Sequence, residues 1–172
     1  MMNFKYKYFS KNKEIDQKDM IYLIHNSQNA KLASVDESLI VSTSSALICY
    51  VEGKPIGICG IRKRFLLCDI YMFVNEKYTN LGLGSKILEK FINKSQKKNI
   101  SLYLLTRIEK EYLVPFNLYV KNDFEPLFVL NKKIFLAHKS LLMSKKFKFT
   151  IYFIFIEIVK ILKLKSFYKR FF

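Results

Sequence analysis

The clearest signal in this chain is how its apolar positions repeat. Residues 3–10, NFKYKYFS, alternate aromatic and basic side chains, which predicts an edge strand. Residues 16–29 predict a helix: Asp16 is a capping residue, Asp19 follows three positions on, and Met20, Ile21, Leu23 and Ile24 form one apolar side. Residues 46–61, ALICYVEGKPIGICGI, hold two apolar runs flanking Glu52-Gly53-Lys54-Pro55, the chemistry of a hairpin turn. Residues 62–64, RKR, predict a solvated turn. FLLCDIYMFV (65–74) then predicts a central strand covered on both faces, with Asp69 its one acid.

Beyond YTNLGLGS, Ile87, Leu88, Phe91 and Ile92 recur at helical spacing, opposite Lys86, Glu89, Lys90 and Asn93. ISLYLLT (100–106) predicts a strand, and PFNLYVKND (115–123) a short helix with Pro115 in its first turn. FEPLFVL (124–130) and KKIFLAHK (132–139) predict two strands around Asn131. The order β-α-β-β-β-α-β-α-β-β implies an α/β (α+β) fold, with a mixed sheet flanked by helices. A length of 172 residues fits one domain with an appendage.

Composition narrows the functional classes. Hydrophobic residues make up 51%, enough for a sizeable core. The formal net charge of +16 is compatible with an anionic ligand, an anionic membrane surface or nucleic acid, but also with a Lys-, Ile- and Asn-rich compositional bias along the whole chain. The three cysteines, Cys49, Cys59 and Cys68, lie in apolar strand-like runs without a C-x-x-C pair. That argues against a disulfide framework or a zinc site and for a reducing, cytoplasmic setting. The N-terminus has no long apolar stretch of the secretory kind. No metal-ligand cluster or Ser/His/Asp set stands out, and His25 and His138 read as structural.

The glycine pair Gly82 and Gly84 sits between a strand and a helix. The first N–H groups of a helix lack internal partners and carry the positive end of its dipole, so such a turn suits phosphate. A dinucleotide fingerprint would need glycine at 87, where Ile87 stands. A P-loop needs an earlier glycine and Gly-Lys-Ser/Thr, whereas this chain has Gly84-Ser85-Lys86. The donors would come from Leu81 to Ser85, with Lys77 and Lys86 adding charge.

VNEKYTNLGLGSKIL (74–88) resembles the acetyl-CoA-binding motif of the GNAT superfamily of N-acetyltransferases. Val74, Tyr78, Gly82, Gly84 and Leu88 fall in register with it. Glu76 stands where the motif often has Pro, and Thr79 where it has Arg or Gln. NLYVKNDFEPLF (117–128) is similar to a second family segment, with Tyr119, Phe124 and Glu125 in place and Asp123 where Gly is usual. The resemblance implies acetyl transfer from acetyl-CoA to an amine. It places the thioester and pantetheine along the backbone of Met72, Phe73 and Val74. It places the pyrophosphate over Thr79, Asn80, Leu81, Gly82, Leu83, Gly84 and Ser85. It makes Tyr119 the general acid for the departing thiolate. Asp69 is the candidate base, with an ion pair to the 62–64 turn as its alternative role, and Glu109 and Glu111 are further acids near the acceptor. The acceptor stays open between a small-molecule and a peptide amine. A catalytically weak or inactive CoA-binding module, or a basic surface binder, are the rival readings; nucleic acid is the less favoured partner.

The GNAT-like domain is expected over residues 1–140, with a basic, apolar extension over 141–172. The extension holds eight Lys or Arg against one acid, Glu157, and its apolar stretch is shorter than the ~20 residues a bilayer span needs. Alternation over 146–155 favours a strand, and Ile158, Ile161 and Leu162 favour an amphipathic helix. Such a segment either docks on the core or meets a partner or a peripheral membrane surface.

Overall fold

The structure, a computed structural model, describes residues 3–10, 15–32, 35, 38–64, 67–97, 104–109, 112–130 and 132–139. The expectations for the 141–172 extension, for the domain boundary at 140 and for Glu111 lie outside these residues.

The chain runs β1 (Lys5–Phe9), α1 (Gln17–His25), α2 (Gln28–Leu32), α3 (Ser38–Ser42), β2 (Thr43–Val51), β3 (Lys54–Arg64) and β4 (Leu67–Val74). A 3-10 turn (Glu76–Tyr78) leads into α4 (Leu83–Gln96), then β5 (Leu104–Glu109), α5 (Leu113–Lys121), β6 (Phe124–Leu130) and β7 (Lys133–His138). The strands form one seven-stranded sheet in the order β1-β2-β3-β4-β5-β7-β6. All neighbours are antiparallel except β4 and β5. The mixed sheet flanked by helices agrees with the fold class expected from the sequence.

Side-chain alternation sends each central strand into two cores. Leu47 and Cys49 of β2, Cys59 and Ile61 of β3, and Ile70 and Val74 of β4 pack with Ile87, Leu88 and Phe91 of α4. Ala46, Ile48, Ile58 and Phe73 face the other way, onto Met20, Leu23 and Ile24 of α1 and Leu39 and Ile40 of α3. Both faces of the sheet centre are therefore apolar, which is why residues 65–74 read as a nearly continuous hydrophobic run. Helix α4 lies close to the sheet because Gly57 has no side chain; a Cβ there would sit 2.6 Å from the end of Ile87. The Cys49 and Cys59 thiols are buried in this layer. Burial raises both, Cys49 to about 11 despite a hydrogen bond with Tyr6 and the nearby Lys90 charge.

The local chemistry mostly follows expectation. Asp16 caps α1, accepting from the Lys18 N–H at 2.8 Å. Glu52 and Gly53 both take positive φ, 50° and 77°, so the β2–β3 hairpin closes through two left-handed residues. Asp123 ends α5 with φ of 63°, and its carboxylate meets Lys139 at 2.7 Å.

Three expectations are corrected. The single helix over 16–29 stops at His25, because Asn26 donates both its backbone N–H and its side-chain amide to the Tyr22 carbonyl; α2 then starts afresh at Gln28. Residues 62–64 are not a turn: β3 runs through Arg64, held by pairing of Arg62 with Asp69 and of Arg64 with Leu67. The strand expected to end at 106 runs on to Glu109, held by its ladder with β7; residues 100–103 lie outside the described residues.

His138 closes β7 in a buried position, edge-on to Phe124 at 5.2 Å. Burial lowers its pKa below the ordinary 6.5, so the native state prefers the neutral ring. Below about pH 6.5 the unfolded chain takes up a proton that the native protein resists, and stability falls with falling pH. Urea midpoints measured from pH 7.5 to 5.5 should decline in the native sequence. His138→Phe should flatten the part of that decline that this ring contributes.

Candidate functional site

The site is built around a fork in the sheet. Strands β4 and β5 are parallel neighbours, yet among the described residues they pair only at Cys68–Leu104 and Asp69–Leu105. Beyond Asp69, β4 stays paired with β3 as far as Val74, and β5 stays paired with β7 as far as Glu109. Each strand follows its antiparallel partner, and the two diverge. The backbone of Ile70–Val74 is thus without a ladder partner on its β5 side among the described residues. Its N–H and C=O groups on that edge are open to a ligand running between the strands.

At the end of β4 the chain enters the glycine loop. Asn75 caps the 3-10 turn, accepting from the Lys77 N–H at 3.1 Å. Asn80 and Gly82 both adopt left-handed conformations, φ 65° and 67°. Gly82 is the N-cap of α4, and no side chain caps the helix there. The N–H groups of Leu83, Gly84 and Ser85 in the first turn therefore point outward without an intrahelical partner. A Cβ on Gly82 would meet nothing within 4 Å, so there is open space over the cradle. Gly84 faces inward instead: a Cβ there would lie 3.3 Å from Met72 and 3.7 Å from Leu118. This contact gathers β4, the start of α4 and α5 at one point.

The expected cofactor residues divide into buried and exposed groups. Phe73, Val74 and Leu83 are buried anchors, and Met72 is half-buried against the α4-side core. Thr79, Asn80, Leu81 and Gly82 are exposed, Leu81 at 53%. Lys77 and Lys86 are exposed beside the loop. The Thr79 hydroxyl donates to the Glu76 carbonyl at 2.8 Å, so it is spent within the turn.

The two candidate catalytic side chains belong to opposite faces of β4. Tyr119, on α5, is buried in the α4-side core, edge-on to Phe124 at 5.1 Å. Asp69 alternates with Tyr71 and Phe73 on the α1 side. It stands at the last rung before the fork, and its carboxylate accepts from the Arg62 guanidinium at 2.9 Å, with both side chains largely covered. His25 is exposed at the end of α1, and Glu109 ends β5. No group of three or more His, Cys, Asp or Glu able to hold a metal occurs among the described residues. Nor is any described helix long and apolar enough to cross a membrane.

Residue-by-residue reading of the sequence missed three participants. Leu118 packs against the glycine turn, Asn75 caps the 3-10 turn, and the carbonyl of Asn26 receives the Glu76 N–H at 3.0 Å. Asn at the end of an apolar strand was a legible turn signal for the second. The other two depend on contacts far apart in sequence.

Residues 42–126 match the family model described as Acetyltransferase (GNAT) domain. No curated protein sequence matches the chain at a significant level. Among solved structures, the PaiA N-acetyltransferase of Thermoplasma acidophilum in complex with coenzyme A is 14% identical, with a TM-score of 0.59; the match covers 77% of this chain and 97% of that one. The ribosomal-protein-S18-alanine N-acetyltransferase of Escherichia coli is 14% identical, with a TM-score of 0.58 over 80% of this chain and 96% of that one. A GNAT family acetyltransferase of Elizabethkingia anophelis with acetyl-CoA bound is 19% identical, with a TM-score of 0.54 over 78% and 96%. At these identities the structural likeness speaks for the fold.

The Arg62–Asp69 pair yields a test of its own. Asp69→Asn should lower unfolding stability by about 1–3 kcal/mol, because the guanidinium is left without its counter-charge in a largely covered position. Arg62→Met combined with Asp69→Leu should recover most of that loss in urea denaturation. Unaltered stability in Asp69→Asn would instead leave the carboxylate to a proton-transfer role.

Proposed function

Because this chain belongs to the GNAT superfamily of acetyltransferases, we propose that it transfers an acetyl group directly from acetyl-CoA to an amine. The observation that carries the proposal is the fork beyond Asp69 opening beside a helix whose first turn has outward N–H groups and a glycine cap. A thioester with its pantetheine arm has the extended shape that the unpaired edge of Met72, Phe73 and Val74 would accept. The pyrophosphate would take the N–H groups between Leu81 and Ser85, with Thr79 and Asn80 shaping the approach and Lys77 and Lys86 balancing charge.

In this scheme the neutral amine attacks the thioester carbonyl and forms the C–N bond. Backbone N–H groups of β4 hold the developing oxyanion. The C–S bond breaks, Tyr119 gives its proton to the departing thiolate, and the amine loses a proton to water or to an acid near the acceptor. Asp69 is the candidate for that last role; its pairing with Arg62 argues for a mainly structural one. Acetyl-CoA would approach from the α4 side of β4 and the amine, on a small molecule or a peptide, from the α1 side. The acetyltransferase domain would extend over residues 1–140, with 141–172 as a separate docking segment, a possible contact for a membrane surface or a protein. The buried free thiols fit a cytoplasmic setting.

A CoA-binding module without turnover is the second reading. It is favoured by Thr79, whose hydroxyl is committed to Glu76 where the family carries a long donor side chain.

Calorimetry with acetyl-CoA, followed by thiol release against an amine panel, tests both readings. Binding with turnover is expected, and no binding at millimolar acetyl-CoA would overturn the two together. Gly82→Val should weaken binding roughly tenfold or more, since a β-branched residue cannot readily take φ 67° and would close the cradle. Tyr119→Phe should lower kcat roughly 100-fold, the lower edge of the 10²–10⁴-fold range of general acid catalysis, with little change in affinity. An unchanged kcat removes Tyr119 from the mechanism.

A further inference from the structure

Glu76 joins the glycine loop to a distant part of the chain through both its backbone and its side chain. Its backbone N–H donates to the carbonyl of Asn26, at the corner between α1 and α2, at 3.0 Å. Its carboxylate meets Lys31 of α2, also at 3.0 Å. Its own carbonyl accepts from both the N–H and the hydroxyl of Thr79, at 3.3 and 2.8 Å. Beside it, the Asn75 amide donates to the Tyr22 hydroxyl of α1 at 3.4 Å, while the Asn75 N–H is fixed to Ile56 at 2.9 Å. The loop preceding the cradle is therefore tied to the α1–α2 corner by a backbone bond, an ion pair and a side-chain bond, over a sequence distance of about fifty residues.

We propose that Glu76 is a positioning residue for the cofactor cradle: it clamps the 75–79 turn to the α1–α2 corner and so holds Asn80–Ser85 in the conformation that presents their N–H groups. This rests on the reading of the cradle as the pyrophosphate site. Thr79, the other position at which this chain departs from the family motif, is tied to the same turn through the Glu76 backbone carbonyl. A loop lacking a long donor at 79 is braced from behind. The ion pair, with both partners about half exposed, is the lesser part of the clamp. The backbone bond from the Glu76 N–H is the greater, and only proline at 76 would abolish it.

Proline is also the residue that the local backbone would tolerate. Asn75 has φ −58° and ψ 135°, the extended conformation that favours a following proline, and position 76 opens a helical turn, where proline fits. Glu76→Pro therefore removes the N–H and the carboxylate without demanding a new backbone path. It also restores the residue common in the family motif.

The test measures coenzyme A affinity by calorimetry on the full chain, with melting temperature read in parallel. Glu76→Pro should raise the Kd roughly 3- to 10-fold, the worth of one net hydrogen bond. Glu76→Gln keeps the N–H and should rescue affinity to within about 3-fold of the native protein. Lys31→Ala should weaken binding in the native background but not on top of Glu76→Gln. Hydrogen exchange at residues 26–31 should slow on coenzyme A binding in the native protein, and slow less in Glu76→Pro. Native-like affinity in Glu76→Pro overturns the clamp while leaving the CoA reading intact. Equal loss in Glu76→Pro and Glu76→Gln also overturns it, since the backbone bond would then carry nothing. Failure of the native protein to bind coenzyme A overturns both.

Discussion

The architecture depends on a conflict of hydrogen-bonding loyalties at the centre of the sheet. Strand β4 has a long antiparallel ladder with β3, eight paired residues from Gly57–Val74 to Arg64–Leu67. Strand β5 has a five-residue ladder with β7. The parallel contact between β4 and β5 ends at Asp69–Leu105, spans two pairs among the described residues and is geometrically weaker. Strand twist carries the two antiparallel sets apart, and the short parallel seam yields. The opening costs little, because the groups it leaves unpaired lie at the edge of a gap rather than inside a core.

The other parts of the site are arranged around that opening. The apolar faces of α4 and α1 pack on β4 from both sides. Gly57 lets α4 come near the sheet, and Gly84 lets the start of α4 come near Met72 and Leu118. The start of α4 is thereby brought against β4 and α5. Tyr119 and Asp69 sit on opposite faces of one strand, so the two sides of the gap are chemically different: phenol and apolar core on one, an Arg–Asp pair on the other.

Much of this was legible in the sequence because it is local. Glu52-Gly53 announces a hairpin, Asp16 a helix start, Asp123 a left-handed helix end, and Gly82 with Gly84 a turn open to phosphate. Each feature depends on a residue's own conformational preferences. What escaped depends on partners distant in sequence. The extension of β3 through Arg64 requires Asp69 and Leu67 opposite, and charge alone made RKR look like a turn. Strand β5 runs past the end of its apolar run, through Arg107 and Glu109, because β7 pairs with it there. The break after His25 came from an asparagine competing for a backbone carbonyl inside a sequence of ordinary helical periodicity. Glu76 looked like a simple departure from a motif; its bonds to Asn26 and Lys31 exist only once α1 and α2 have folded against the loop.

The burial of Cys49 and Cys59 has a consequence for redox chemistry. Thiol–disulfide exchange proceeds through attack by a thiolate, so a cysteine takes part only as far as it ionises and can be reached. Cys49 and Cys59 are packed under α4 with their ionisation suppressed, so neither supplies a thiolate near neutral pH. The layer that carries the cradle is thereby insulated at both positions from mixed-disulfide formation, and its packing does not depend on the thiol balance of its surroundings.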